Sequence, residues 1–213
     1  MGRRPRIDIP NLLYHVVARG NYQQDIFYSD ADRELYLELL AFYKEKLGFT
    51  VYAFCLMSNH VHLLLRPTEK SSLAEIVKSL HSRYAKKCNY RQKQRGHLFQ
   101  ERFYSVVVDS EAYLLELTRY IHLNAVRAGI TSKPQDYKWS SLRTYIGLDY
   151  YPFIDRSHLT LFGKRPSTQV SRYMAFLEQG LRNNKDILSE IKEGRFLGSD
   201  GFIAQVKAIL IES

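Results

Sequence analysis

The order in which two periodicities alternate along the chain restricts its fold more than any other feature. Residues 12–19 are apolar and β-branched and stop at Gly20-Asn21, as a strand ending in a turn does. Asp30 or Asp32 can then cap a helix whose Leu35, Leu39, Phe42, Tyr43 and Leu47 recur at helical spacing up to Gly48. Two β-rich runs, 49–57 and 61–66, flank Ser58-Asn59 and read as a hairpin. Ser71 or Ser72 starts a second helix with Leu73, Ile76, Val77, Leu80 and Tyr84 on its apolar face. Residues 96–109 form a fourth strand, and Ser110 caps a helix that carries Tyr113, Leu117, Tyr120 and Asn124 on one stripe and ends near Gly129.

The order βαββαβα predicts an α+β fold with a ferredoxin-like (split βαβ) antiparallel sheet and its helices on one face. A chain of 213 residues exceeds the roughly 100–150 of one typical domain, so an appendage is expected. Residues 1–150 form the first domain, closed by a short helix at 140–145, and the Pro152-containing segment 150–156 is the linker. Residues 168–179, 185–193 and 202–211 have helical periodicity and are separated by Gly180, Gly194 and Gly198, so 156–213 reads as an all-helical extension. With 45% hydrophobic and 25% charged residues, disordered and fibrous classes are excluded.

Cys55 and Cys88 make neither a metal spacing nor a disulfide framework, and the basic N-terminus leads into Asp8 and Pro10 rather than an apolar signal core. The longest apolar stretch, 51–57, is far short of the roughly 20 residues that span a bilayer. A cytoplasmic protein with no membrane partner is therefore expected.

Lys and Arg outnumber Asp and Glu by 31 to 22, a net charge of +9 that favours a polyanion. The excess is densest at Arg83, Lys86, Lys87, Arg91, Lys93, Arg95 and Arg102, where Glu101 is the single acid. Tyr84, Tyr90, Phe99, Phe103 and Tyr104 are interleaved with these cations, a pattern that suits phosphate contacts and stacking of unpaired bases. A solvated helix end over core aromatics would have the same pattern.

His60 and His62 are two apart on a strand, so both rings project from one side of the sheet, roughly 7 Å apart. Spacing alone fits a shared cation or a pair of core histidines. Tyr120 and Asn124 lie one helical turn apart, and an amide on a buried stripe needs a partner or costs about 1–3 kcal/mol. A metal, the backbone or water could serve.

Five segments occur together in one order: Ala18-Arg19-Gly20-Asn21, Leu56-Met57-Ser58-Asn59-His60-Val61-His62-Leu63, Gly96-His97-Leu98-Phe99-Gln100-Glu101-Arg102-Phe103, Tyr120-Ile121-His122-Leu123-Asn124-Ala125-Val126-Arg127-Ala128-Gly129, and Trp139-Ser140-Ser141. Over residues 8–148 the chain resembles the IS200/IS605-like single-tyrosine transposases of the HUH endonuclease class, within them the REP-associated tyrosine transposases. The resemblance implies a ferredoxin-like sheet, metal ligands at His60, His62 and Asn124, and a nucleophile at Tyr120. It implies Mg²⁺ or Mn²⁺ as cofactor and single-stranded DNA with hairpin or palindromic repeats as substrate. A 5′-phosphotyrosine intermediate would form, and the free 3′-hydroxyl could rejoin strands.

Ala125 departs from relatives that often have Pro there, at a helix end rather than at a proposed catalytic group. A non-catalytic nucleic-acid-binding regulator on the same fold, and a metal hydrolase that activates water, are the competing readings. Monomer and homodimer both remain open.

Overall fold

A computed structural model describes residues 6–183 and 186–212. Its elements are β1 (Leu13–Arg19), α1 (Asp30–Leu47), β2 (Thr50–Leu56), β3 (His60–Arg66), α2 (Leu73–Arg91), β4 (Tyr104–Val108), α3 (Ser110–His122), α4 (Asn124–Arg127), α5 (Leu142–Tyr145), α6 (Pro166–Asn183), β5 (Phe196–Leu197) and α7 (Asp200–Glu212).

Local chemistry sets the helix limits. Ser29 caps α1, and Asp32 returns a bond to the Ser29 backbone, a complete capping box; the expected aspartate cap is therefore its third residue. Gly48 ends the helix in the left-handed region at φ 69, which glycine adopts without steric cost. Ser72 caps α2, and the Asp8 carboxylate accepts from the Leu73 and Ala74 N–H groups at 2.7 and 3.0 Å. Asp109, not Ser110, occupies the N-cap position of α3. The fourth strand is shorter than expected, because only 104–108 join the ladder and 96–103 are looped apart from a single bridge between Phe99 and Gly20.

The sheet runs β2-β3-β1-β4-β5. β1 pairs antiparallel with β3 and β4, and β2 with β3, which is the ferredoxin-like order. Successive residues of each strand face opposite layers. Tyr14, Val16, Ala18, Val61, Leu63 and Leu65 join α1 and α2 in the larger core, whereas Leu13, Ala53, Cys55, Leu64, Val106 and Val108 meet Leu117 and Ile121 of α3 in a second cluster. The helices thus occupy both faces, not one: α1 and α2 pack below, and α3 crosses above β2 and β3.

The C-terminal part is helical with one exception. Phe196 and Leu197 pair in parallel with Val107 and Val108, adding a fifth strand where only helices were expected. Residues 187–190 form a 3-10 turn instead of a helix over 185–193, whose first residue, Lys185, lies outside the described residues. Residues 150–156 lie along the sheet: Phe153 and Ile154 are buried, and the Asp155 N–H donates to the Val51 carbonyl at 2.8 Å. Among the described residues no helix is long and apolar enough to cross a membrane.

Candidate active site

β3 alternation puts His60, His62 and Leu64 on the α3 side, and the β1 register places Arg19 opposite His60, Val17 opposite His62 and His15 opposite Leu64. The turns at the ends of these strands are tied together. Gly20 N–H donates to Asn59 O at 2.8 Å, and a Cβ on Gly20 would stand 1.9 Å from the Gln24 carbonyl, so only glycine fits this approach.

Helix α3 anchors through Leu117 and Ile121 and lays Tyr120, half-buried, against the histidines. The Tyr120 ring centroid is 5.9 Å from His62 and 6.1 Å from His15, edge to face in both cases. Helical structure is interrupted at Leu123, and Asn124 opens α4 rather than continuing α3. The buried Asn124 amide lies beside both His60 and the Tyr120 hydroxyl, close enough to influence the titration of each. His60, His62, Tyr120 and Asn124 therefore line one open cleft of about 560 Å³, together with His15, Arg19, Arg102 and Leu188. Arg127 extends over the Tyr120 ring, 5.0 Å from its centroid.

The environment sets the protonation of these groups. Burial holds His60 down to about 4, with the Arg19 charge adding to the effect. His62 is pushed well below its ordinary value, first by burial and then by its histidine neighbours and Arg19. Burial also raises the Tyr120 phenol, and nearby Asp186 raises it further against the opposing influence of Arg127, Asn124 and Arg19. Around neutral pH the imidazoles are neutral and the phenol keeps its proton.

The donor set fits a divalent cation. Asn59 Nδ2 donates to the Gln23 carbonyl at 3.3 Å, which turns Asn59 Oδ1 toward His60 Nδ1 at 2.7 Å. An amide oxygen only accepts, so His60 carries its hydrogen on Nδ1 and has its lone pair on Nε2. His62 Nδ1 is likewise engaged, 2.9 Å from His15 Nε2, so Nε2 is its ligand atom. The two rings lie 5.0 Å apart at 78° beside the Asn124 amide. Among the described residues no group of three His, Cys, Asp or Glu is placed to hold a metal, and the candidate donors in this cleft are two imidazoles and an amide.

Of the basic segment, Arg102 alone reaches the cleft. Arg83, Lys86 and Lys87 are exposed on α2, across the sheet from the histidines. Arg91 bonds Asp32 at 3.3 Å, while Lys93 and Arg95 sit in the exposed loop after α2. Sequence reasoning missed His15, Arg19 and Arg127. His15 and Arg19 share the alternation of β1 that leads to the motif turn, and Arg127 follows Asn124 by one helical turn, so strand and helix periodicity carried a signal for all three.

Residues 8–124, 117 of 213, match the sequence profile of the family described as Transposase IS200 like. A Haemophilus influenzae protein provisionally named REP-associated tyrosine transposase is 26% identical over 118 residues, covering 51% of this chain and 67% of that protein. A solved REP-associated tyrosine transposase bound to a REP hairpin superposes with a TM-score of 0.60 at 13% identity, over 73% of this chain and 98% of that one, which shows the common fold. A provisionally named transposase from Deinococcus radiodurans R1 is 19% identical, with a TM-score of 0.40 over 55% of this chain and 94% of that one.

Proposed function

Because the chain belongs to the IS200-like transposase family, we propose that it is a metal-dependent endonuclease and strand transferase for single-stranded DNA, with Tyr120 as nucleophile and His60, His62 and Asn124 as ligands of Mg²⁺ or Mn²⁺. The observation that carries this reading is the convergence of these four side chains, from β3, α3 and α4, on one open cleft. When bound, the cation supplies positive charge that polarises the scissile phosphate.

The chain's own groups account for the rest. Asn124 lines the cleft beside His60 and Tyr120, where its amide helps to place the Tyr120 hydroxyl for approach to phosphorus. Arg19 and Arg102 line the cleft, where they offset phosphate charge, and Arg127 over the Tyr120 ring favours phenolate, together with Arg19, against Asp186. Tyr120 Oη bonds to phosphorus as the bond from phosphorus to the 3′ oxygen breaks. The phenol proton is lost, the 3′ oxygen takes up a proton, and the DNA 5′ end remains esterified to Tyr120. Attack by a 3′-hydroxyl reverses these changes and rejoins strands.

The hairpin in the solved REP-associated relative, with Arg19 and Arg102 lining the cleft, supports hairpin-bearing single strands as the substrate. End-labelled oligonucleotides with and without a hairpin, incubated with Mg²⁺, Mn²⁺ or chelator, test the proposal. Cleavage that needs both a cation and a single-stranded flank is expected. Binding without cleavage under every condition would favour the non-catalytic regulator.

A further inference from the structure

His15 is used neither by the sequence motifs nor by the chemistry above. It is 1% exposed on β1, diagonal to His62 across the β1–β3 register. Its Nε2 stands 2.9 Å from His62 Nδ1, the rings are parallel within 9°, and its Nδ1 is buried with no hydrogen-bond partner.

One proton lies in a contact between two imidazole nitrogens, so two arrangements exist. In the first, His62 Nδ1–H donates to His15 Nε2, His15 carries its own hydrogen on Nδ1, and His62 Nε2 offers a lone pair. In the second, His15 Nε2–H donates to His62 Nδ1, and His62 carries its hydrogen on Nε2, where it blocks a cation. Each leaves the His15 Nδ1 position unpaired, as N–H in one and as a bare lone pair in the other, so burial does not decide between them. His60 has no such choice, because Asn59 Oδ1 only accepts.

We propose that His15 is a positioning residue that sets the tautomer of His62, so that both motif histidines hold a divalent cation only when the His15 hydrogen is on Nδ1. This rests on the reading of His60 and His62 as ligands. Both arrangements carry two hydrogens on the His15–His62 pair, so uptake of the ion needs no net proton change there, whichever arrangement it meets.

Long-range ¹H–¹⁵N correlation spectra of the imidazoles, recorded on the unmutated protein without metal and with Zn²⁺ as diamagnetic probe, read the tautomers directly. Calorimetry with Mn²⁺ on wild type, His15→Phe, His15→Gln, His60→Ala and His62→Ala reads affinity. The zinc-loaded protein is expected to carry hydrogen on Nδ1 of both His15 and His62. His15→Phe, which fills the space without an acceptor, should weaken Mn²⁺ binding about 10- to 100-fold, and His15→Gln, whose amide oxygen can accept from His62, should recover most of that loss. Hydrogen on His15 Nε2 in the zinc-loaded protein, or wild-type affinity in His15→Phe, overturns the proposal. If His60→Ala and His62→Ala also bind as wild type, the metal site itself falls; if only those two lose binding, the metal site stands and the role of His15 falls. The spectra decide the matter even if His15→Phe fails to fold.

Discussion

The two faces of the sheet share strands and differ in almost everything else. Below, Val16, Leu63 and Leu65 pack against Leu40, Val77 and Leu80 with essentially no exposure, and two polar rings there are paired: His81 bonds the Tyr36 hydroxyl at 3.0 Å, and Tyr84 donates to the Ile26 carbonyl. Above, alternate residues of the same strands present His15, His60, His62 and Arg19 to a cleft that α3 only partly covers. Period-two alternation thus lets one ribbon supply stability from one side and polar, partly desolvated chemistry from the other. Stability should be concentrated below the sheet and cation dependence above it.

The largest expected stability contrast comes from removing bulk on each side. Leu63→Ala should lower unfolding free energy by about 2–5 kcal/mol, the range for a truncated core leucine. His60→Ala, on the same strand, should change metal-free stability by no more than about 1 kcal/mol, because its ring borders the open cleft. Urea titrations of both variants measure the difference, and equal losses would break the comparison.

A second expectation concerns what a cation does. Millimolar Mn²⁺ should raise the melting temperature of the wild type and of Leu63→Ala alike, whereas Asn124→Ala should respond much less, since a ligand that binds only the folded state stabilises in proportion to its affinity. Differential scanning fluorimetry with and without Mn²⁺ provides the check. An unchanged response in Asn124→Ala would remove the amide from the proposed ligand set.

Acid should act through the buried imidazoles, of which His81 is the one on α2. Burial holds His81 down to about 3, far below its unfolded value near 6.5. Between those values the unfolded chain takes up a proton that the folded chain refuses, so stability falls as pH drops through the window, by about 1.4 kcal/mol per pH unit well inside it. His81→Gln, which keeps an acceptor for Tyr36, should reduce the total slope in urea titrations between pH 7 and 5 by up to one proton's share, leaving the part due to other buried rings, among them His15, His122 and His158. An unaltered slope would assign the acid sensitivity to other groups.

The smallest effect is expected at Ala125. It is the second residue of α4, where proline is tolerated, and its backbone lies near the Cys55 thiol, a weak acceptor. Ala125→Pro should therefore cost at most about 1 kcal/mol in a thermal or urea melt. A much larger loss would show that the contact with Cys55 fixes the interruption between α3 and α4.

The sequence made the strand order, the two long amphipathic helices and the placement of His60 and His62 on one face readable, because runs of this length repeat their period several times. Other features depend on tertiary pairing. β5 is two residues long and shows no period of its own; it exists because Phe196 and Leu197 meet the free edge of β4. Which face α3 covers follows from the path after β4, and the His15–His62 contact appears only once the β1–β3 register is known. The basic stretch divides for a related reason: from Arg83 to Arg102 it crosses from a helix below the sheet to a loop at the cleft, so only its last cation arrives there.

Peptide mass spectrometry of the protein after incubation with a hairpin-bearing single strand and Mn²⁺ tests the central claim most directly. A nucleotide adduct on the peptide containing Tyr120, absent from Tyr120→Phe and from chelated samples, is the expected result. Cleavage that persists in Tyr120→Phe, with no adduct on any tyrosine, would contradict the account and assign the nucleophile to water.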